Sequence, residues 1–221
     1  MSFQPWCAAA VALVALSVAD SAAAEMCVEV QVRFAGLSPP APVVRAMRED
    51  AASIWKSYGL RIQWSQAPRP RCGQVQGSFD VVVHRGPLRP RRPGEIVLGR
   101  TRLAAAAIAG APVCLDYDAI ARLLGSVQVS QFTLLAGHAD IGPTDMGRAL
   151  GRVLAHEIGH VILGVSAHQR RGLMRASFFP EELVAPQRSA FTLSRREVDR
   201  LRQRERALEA NRPAGAAQPS M

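Results

Sequence analysis

One stretch of the sequence, residues 144–163, has apolar side chains on nearly every face of a predicted helix and yet carries two histidines and a glutamate. A helix that is apolar all round is buried in a protein core. Burial of polar groups without partners costs on the order of 2–7 kcal/mol per group against an alkane-like reference. We therefore expect a partner inside the fold that compensates His156, Glu157 and His160.

A zinc ion is the partner that the spacing of these residues predicts. Residues four apart on a helix differ by only about 40° around its axis, so His156 and His160 can present their imidazoles to one ion. Glu157 lies beside the pair, in the general-base position of zinc-dependent peptide hydrolysis. His-Glu-x-x-His also arises by chance in ordinary core helices. The apolar helix, the glycine that follows it and a further histidine favour zinc.

The third ligand of a catalytic zinc must come from beyond the helix, since such a site keeps three protein ligands and one open position. Gly164 can end the helix in a left-handed conformation and turn the chain back, which would bring His168 to the metal. A solvent-exposed loop histidine is the alternative. Glu181 and Glu182 are rival ligands, because some zinc peptidases use a carboxylate about 20 residues beyond the second histidine. Pro180 makes their segment a helix start.

The motif resembles that of the metzincin clan of zinc metallopeptidases, whose pattern is HExxHxxGxxH followed by a methionine in a tight turn. The residues that carry the resemblance are His156, Glu157, His160, Gly164, His168 and Met174. Here the glycine and the third histidine follow the second histidine by four and eight residues, where the clan has three and six. The loop is therefore two residues longer, which favours a divergent, bacterial, metzincin-like group. The resemblance implies that Met174 packs beneath the histidines and is not a ligand.

The resemblance also implies an α+β fold: a twisted mixed sheet of about five strands, a buried active-site helix over about 144–163, and a small helical C-terminal subdomain. Residues 25–211 would form this single catalytic domain, with a C-terminal helix over about 194–211 and a disordered tail at 212–221. Sequence patterns predict strands at 28–34, 60–64, 79–84, 95–98 and 112–115, and helices at 43–58 and 118–124.

We expect the protein to be a secreted zinc endopeptidase with one catalytic zinc and Glu157 as general base. An extended peptide or protein substrate would add as a strand to an exposed sheet edge at about 95–103. The sequence has no tyrosine after the motif to stabilise an oxyanion, so we expect zinc to take this role, with Arg175 as a helper. His138 is more consistent with a structural or exposed histidine than with a cleft residue, and His84 is predicted to have no function.

Residues 1–24 predict a signal peptide. Ala8 to Val18 is an unbroken apolar run, and Ala22-Ala23-Ala24 is a small-x-small cleavage site, although no Lys or Arg precedes the run. The run is shorter than the ~20 residues that a membrane span takes. We therefore expect cleavage near Ala24, no membrane span and a secreted or periplasmic protein.

Cleavage there would remove Asp20 and no basic residue, which raises the net charge from +9 to +10. This charge favours anionic surfaces such as acidic glycans or lipid headgroups, and no motif indicates specific nucleic-acid binding. The alternative function is a non-catalytic, zinc-stabilised secreted protein that binds anionic envelope polymers. We expect a monomer.

Three cysteines remain after cleavage: Cys27, Cys72 and Cys114. An exported protein can join one pair in a disulfide and leave one thiol over. Cys72 lies in a loop rich in proline and arginine, so we expect a loop cysteine bonded to a strand cysteine. The sequence leaves open which strand supplies it.

Overall fold

The computed structural model describes residues 26–65, 75–88, 96–103, 112–132 and 141–210, with side chains omitted at 127–132. Its elements, in chain order, are β1 (Met26–Ala35), α1 (Ala41–Lys56), β2 (Leu60–Trp64), β3 (Gly77–His84), β4 (Gly99–Thr101), β5 (Val113–Asp116), α2 (Tyr117–Phe132), α3 (Pro143–Leu163), α4 (Pro180–Val184) and α5 (Arg195–Ala210). The expected signal peptide and C-terminal tail lie outside the described residues.

The five strands in the described part of the chain form one mixed sheet in the order β2-β1-β3-β5-β4. The β1–β2, β1–β3 and β3–β5 pairs are parallel, and β4 alone pairs antiparallel, with β5. The mixed, roughly five-stranded α+β architecture agrees with the expectation from sequence. Within the described ranges β4 is the last strand of the sheet, so it pairs on one side.

Alternating valines place the sheet against the core. In β1, Val28, Val30 and Val32 are buried while Gln31 and Arg33 are exposed. In β3, the buried residues are Phe79, Val81 and Val83. Side chains two apart on a strand share a face, so these residues present one continuous apolar surface to the helices.

Helix α3 is the central element of the core. Every residue from Ala149 to Leu163 is buried, as the all-round apolar pattern predicts. Two glycines on α3 let it approach α1 closely: a Cβ added at Gly147 would lie 2.6 Å from the carbonyl oxygen of Val43, and one at Gly151 would lie 2.6 Å from that of Met47. Helix α3 is therefore held directly against α1.

A buried arginine ties α3 both to α1 and to the chain that follows the site. Arg152, which is 0% exposed, donates from Nε to Oδ2 of Asp50 on α1 at 2.8 Å. Its other nitrogens donate to the backbone carbonyls of Glu182, Ala185 and Gln187. Burial lowers the pKa of Arg152, and the neighbouring Asp50 carboxylate opposes that shift. The cluster fixes the segment around α4 against α3.

One sequence prediction about elements was wrong, and another gave too short a helix. The strand expected at 95–98 is displaced to β4, because hydrogen bonding to β5 pairs Gly99 with Leu115 and Thr101 with Val113. Ile96 lies outside any strand and is 64% exposed. The short helix expected at 118–124 continues as α2 to Phe132, with Gly125 inside it.

The cysteines that the structure describes are in different states. Cys27 in β1 is disulfide-bonded, and Cys114 in β5 is a free thiol. Cys72 lies outside the described residues. A bonded strand cysteine agrees with the expectation of one disulfide that uses a strand.

None of the helices in the described ranges is both long enough and apolar enough to cross a membrane.

Candidate metal and catalytic site

Helix α3 ends where the sequence predicts. Gly164 follows its last residue with φ 61° and ψ 39°, which is the left-handed conformation that glycine adopts without strain. The backbone N–H of Val165 then donates to the carbonyl of His160 at 3.2 Å. This turn reverses the chain and returns residues 165–168 towards the histidines of α3.

The reversal brings three histidines together. Nε2 of His160 lies 3.0 Å from Nε2 of His156 and 3.2 Å from Nε2 of His168. His156 and His160 are buried, and His168 is exposed. The ligand atoms of all three lie within 4.8 Å of one another, as the atoms of one metal site do.

Backbone carbonyls orient the two buried imidazoles. Nδ1 of His156 lies 2.7 Å from the carbonyl oxygen of Leu173, and Nδ1 of His160 lies 2.6 Å from that of Val165. A carbonyl only accepts, so each Nδ1 carries the proton and donates it. Nε2 of each ring then carries the lone pair that can ligate a metal, and metal-binding histidines are oriented in this way.

Burial keeps His156 neutral. It lowers the pKa of this imidazole to about 3, with a further lowering from nearby His160 that the hydrogen bond to Leu173 opposes. Neutral imidazole is the form that ligates a metal.

The donor set and its geometry fit zinc. Zn–N distances of about 2.0–2.1 Å in a tetrahedral site place two ligand nitrogens about 3.3 Å apart. The two observed separations, 3.0 and 3.2 Å, are close to this value. Unprotonated imidazole nitrogens repel one another at such distances, and a cation bound between them removes that repulsion. Three histidines also leave the fourth position of a tetrahedral ion open.

Glu157 lies between the histidines and strand β4. Its carboxylate is buried, with 5% of the residue exposed, and Oε2 accepts a hydrogen bond of 2.6 Å from Oγ1 of Thr101. A cleft opens here along the edge of the sheet. Its lining residues are Val97, Gly99, Arg100, Thr101, Leu103, Glu157, His160, Ser166 and His168.

A tight turn lies beneath the histidines. Met174 is fully buried, and its Sδ is the nearest atom to the position that a Cβ on Gly159 would occupy. The backbone N–H of Gln169 donates to the carbonyl of Met174 at 2.7 Å, and Leu173 donates to the carbonyl of Thr192 at 2.8 Å. The turn thus supplies the Leu173 carbonyl that orients His156.

Other residues considered from sequence have different surroundings. Glu182 is bound by Arg175, with Nη1 to Oε1 at 3.0 Å, and it accepts the backbone N–H of Phe179. Burial raises the pKa of Glu182, but these hydrogen bonds and the charge of Arg175 outweigh that and lower it. The Arg175 guanidinium also lies 4.8 Å from the ring of Phe178, so Glu182 and Phe178 engage it.

Glu181, the other rival, and His84 are not members of the described group of three histidines. Glu181 is exposed, and Nδ1 of His84 lies 3.1 Å from the carbonyl of Arg85. His138 lies outside the described residues.

Sequence reasoning missed three neighbours of the site. Thr101 and Gly99 contact Glu157, and the ring of Phe178 packs edge-on against His156 with centroids 5.3 Å apart. Gly99 and Thr101 fall within the predicted edge at 95–103. Their spacing of two residues in that edge is the signal that would have placed them on one face.

No protein-family model matches the chain, and no curated protein matches it. Among solved structures, the chain is similar to archaemetzincin (amzA) from Methanopyrus kandleri, with a TM-score of 0.46 and 16% sequence identity. The alignment covers 84% of this chain and 98% of that one. The functional proposal below therefore depends on the geometry of the site itself.

Proposed function

We propose that this protein is a zinc-dependent peptidase. The observation that carries the proposal is the convergence of Nε2 of His156, His160 and His168 beside a buried carboxylate, in a cleft at a sheet edge. A zinc ion that serves only to stabilise a fold is closed by four protein ligands. The group in the described part of the chain consists of three histidines, which favours a catalytic ion over the non-catalytic alternative.

In this proposal His156, His160 and His168 hold one zinc ion. Bound there, zinc would supply Lewis-acid chemistry, which polarises a carbonyl oxygen and acidifies water. Glu157 accepts a proton from the attacking water and delivers it to the leaving nitrogen as the peptide bond breaks. The Nδ1 hydrogen bonds of His156 and His160 keep their imidazoles in the ligating orientation throughout.

The substrate in this proposal is an extended peptide that adds to β4 as a further strand. Strand β4 pairs with β5 through one edge, and the cleft with Glu157 lies along β4. Main-chain hydrogen bonds to the edge strand would align the peptide regardless of its sequence. A chain bound in this way continues past the site in both directions, which favours endopeptidase action. Export through a signal peptide at residues 1–24 is part of the same proposal.

The test measures zinc content and hydrolysis of a peptide library in parallel. We expect one zinc per chain in the parent and in Glu157→Gln, with hydrolysis in the parent alone, because the glutamine cannot accept the proton. Loss of a general base costs about 10²–10⁴-fold in rate. Glu49→Gln, at an exposed position on α1, is the matched control and is expected to behave as the parent.

His156→Ala is expected to lose the zinc. Absence of zinc from the folded parent, or undiminished hydrolysis by Glu157→Gln, would show that the proposal is wrong.

A further inference from the structure

The position of the Glu157 carboxylate depends on strand β4 as well as on its own helix. Oγ1 of Thr101 donates to Oε2 of Glu157 at 2.6 Å, and the same hydroxyl lies 3.2 Å from the backbone oxygen of Glu157. These residues are 56 positions apart in the chain. The short bond to a mostly buried carboxylate is the kind of charge-assisted hydrogen bond that fixes a side chain.

Gly99 makes room for the rest of the same carboxylate. A Cβ at this position would lie 2.7 Å from Oε1 and 2.8 Å from Cγ of Glu157, closer than real Cβ atoms approach. Its backbone has no left-handed conformation that would by itself call for glycine. The absence of a side chain at residue 99 is therefore matched to the presence of Glu157.

Gly99 and Thr101 act on Glu157 from one side. Side chains two apart on a strand project from the same face, and both residues contact the Glu157 side chain. Thr101 holds one carboxylate oxygen, and Gly99 leaves space for the other. We call these two residues the Glu157 seat.

We propose that Thr101 is a positioning residue for Glu157, and that the Glu157 seat couples the general base to the strand on which the substrate lies. This inference rests on the proposed function. If the peptide aligns on β4, and Thr101 on the same strand holds the Glu157 carboxylate, then β4 sets the distance between the scissile bond and that carboxylate. Small errors in such a distance are costly, since a displacement of about 1 Å can reduce a rate about 100-fold.

The first experiment compares Thr101→Val and Thr101→Ser. Valine keeps the shape of threonine and removes the donor, so kcat is expected to fall about 10- to 100-fold. KM is expected to change by less than about threefold, because the backbone of β4, which would bind the peptide, is unaltered. Serine restores the hydroxyl and is expected to recover most of the lost kcat. Thr144→Val, at an exposed position on α3, is the matched control and is expected to retain the parent kcat.

The second experiment tests the seat without any assay of activity. The thermal midpoints of zinc-loaded parent, Thr101→Val, Glu157→Ala and the double variant form a double-mutant cycle. Thr101→Val is expected to lower the midpoint in the parent and to lower it much less once Glu157 is alanine. Zinc content is expected to stay the same in all four proteins, since neither residue is a ligand.

The outcomes separate this inference from the proposed function. Three results would overturn the Glu157 seat. They are an unchanged kcat in Thr101→Val, a loss of kcat in Thr101→Ser as large as in Thr101→Val, and midpoint changes for Thr101 and Glu157 that simply add. If the zinc-loaded parent cleaves no peptide, the proposed function fails, and with it the role of Thr101 in positioning a general base. The double-mutant cycle then still tests the contact between Thr101 and Glu157. A smaller midpoint loss from Thr101→Val in the Glu157→Ala background supports the contact, and an equal loss in both backgrounds refutes it.

Discussion

At the scale of single residues, each polar group of α3 at the site can be buried because it has a defined hydrogen-bond partner. His156 and His160 commit Nδ1 to the carbonyls of Leu173 and Val165, and Glu157 accepts the hydroxyl of Thr101. Helical spacing predicted the pairing of the two histidines, since it depends only on positions four apart. The contacts that Leu173 and Thr101 make were unpredictable, because no local pattern pairs Leu173 with a histidine or Thr101 with a carboxylate. The spacing of Gly99 and Thr101 indicates only that they share a face of the strand.

His168 is the residue whose substitution best tests the histidine group. We expect His168→Ala to weaken zinc binding by at least about 100-fold, because one of three ligands is removed. The fold should be retained, since His168 is exposed. Competition with a zinc-binding dye measures the affinity, and His84→Ala is the control, because that histidine bonds only a neighbouring carbonyl among the described contacts. Full zinc affinity in His168→Ala would give the third position to Glu181, Glu182 or another group.

At the scale of elements, local signals defined α3 and failed for β4. Pro143 in the first turn and left-handed Gly164 after the last residue bound α3 at Pro143–Leu163, against the predicted 144–163. Strand β4 has three residues, too few for alternation to be visible, and its position follows from its pairing with β5. The predicted strand at 95–98 was misplaced for that reason.

The contact between α1 and α3 gives a prediction at this scale. Gly151→Ala would put a Cβ within 2.6 Å of the Met47 carbonyl and 3.0 Å of the Asp50 Cβ, so the two helices must separate. We expect a loss of about 1–3 kcal/mol in the free energy of unfolding, as for other overpacked cores. Urea unfolding measures it. Gly125→Ala on α2 is the matched control: no atom of the described residues lies within 4 Å of the added Cβ, and alanine should stabilise that helix by about 0.5–1 kcal/mol. Equal stability of the two variants would contradict the close packing.

At the scale of the whole molecule, one buried arginine links the helical core to the segment that follows the site. Arg152 contacts Asp50 on α1 and three carbonyls between residues 182 and 187. Arg188 reaches the other oxygen of Asp50 from the same segment, with Nε at 2.7 Å. Phe191, whose backbone N–H donates to the carbonyl of Arg188, stacks on Phe178. The ring of Phe178 in turn packs against His156. The cluster therefore supports one wall of the histidine site.

We expect Arg152→Met to destabilise the protein by about 3–5 kcal/mol, because it leaves the buried Asp50 carboxylate with one partner fewer and frees three carbonyls. Chemical denaturation of the purified variant measures the effect. Arg148→Met is the control, since the Arg148–Asp145 pair is partly exposed and such pairs contribute about 0–1 kcal/mol. A loss in Arg152→Met no larger than in the control would show that the cluster has no structural role.

The sequence by itself determined the apolar helix, the pair of histidines on its face, the turn at Gly164 and the return of His168. Each of these depends on residues within about eight positions of one another, where backbone geometry alone sets distance. Only the tertiary structure decided the register of β4, the burial of Arg152 with Asp50 and the hydrogen bond from Thr101 to Glu157. The last two join residues 102 and 56 positions apart. Contacts over such separations arise from the packing of sheet and helices, which no local periodicity encodes.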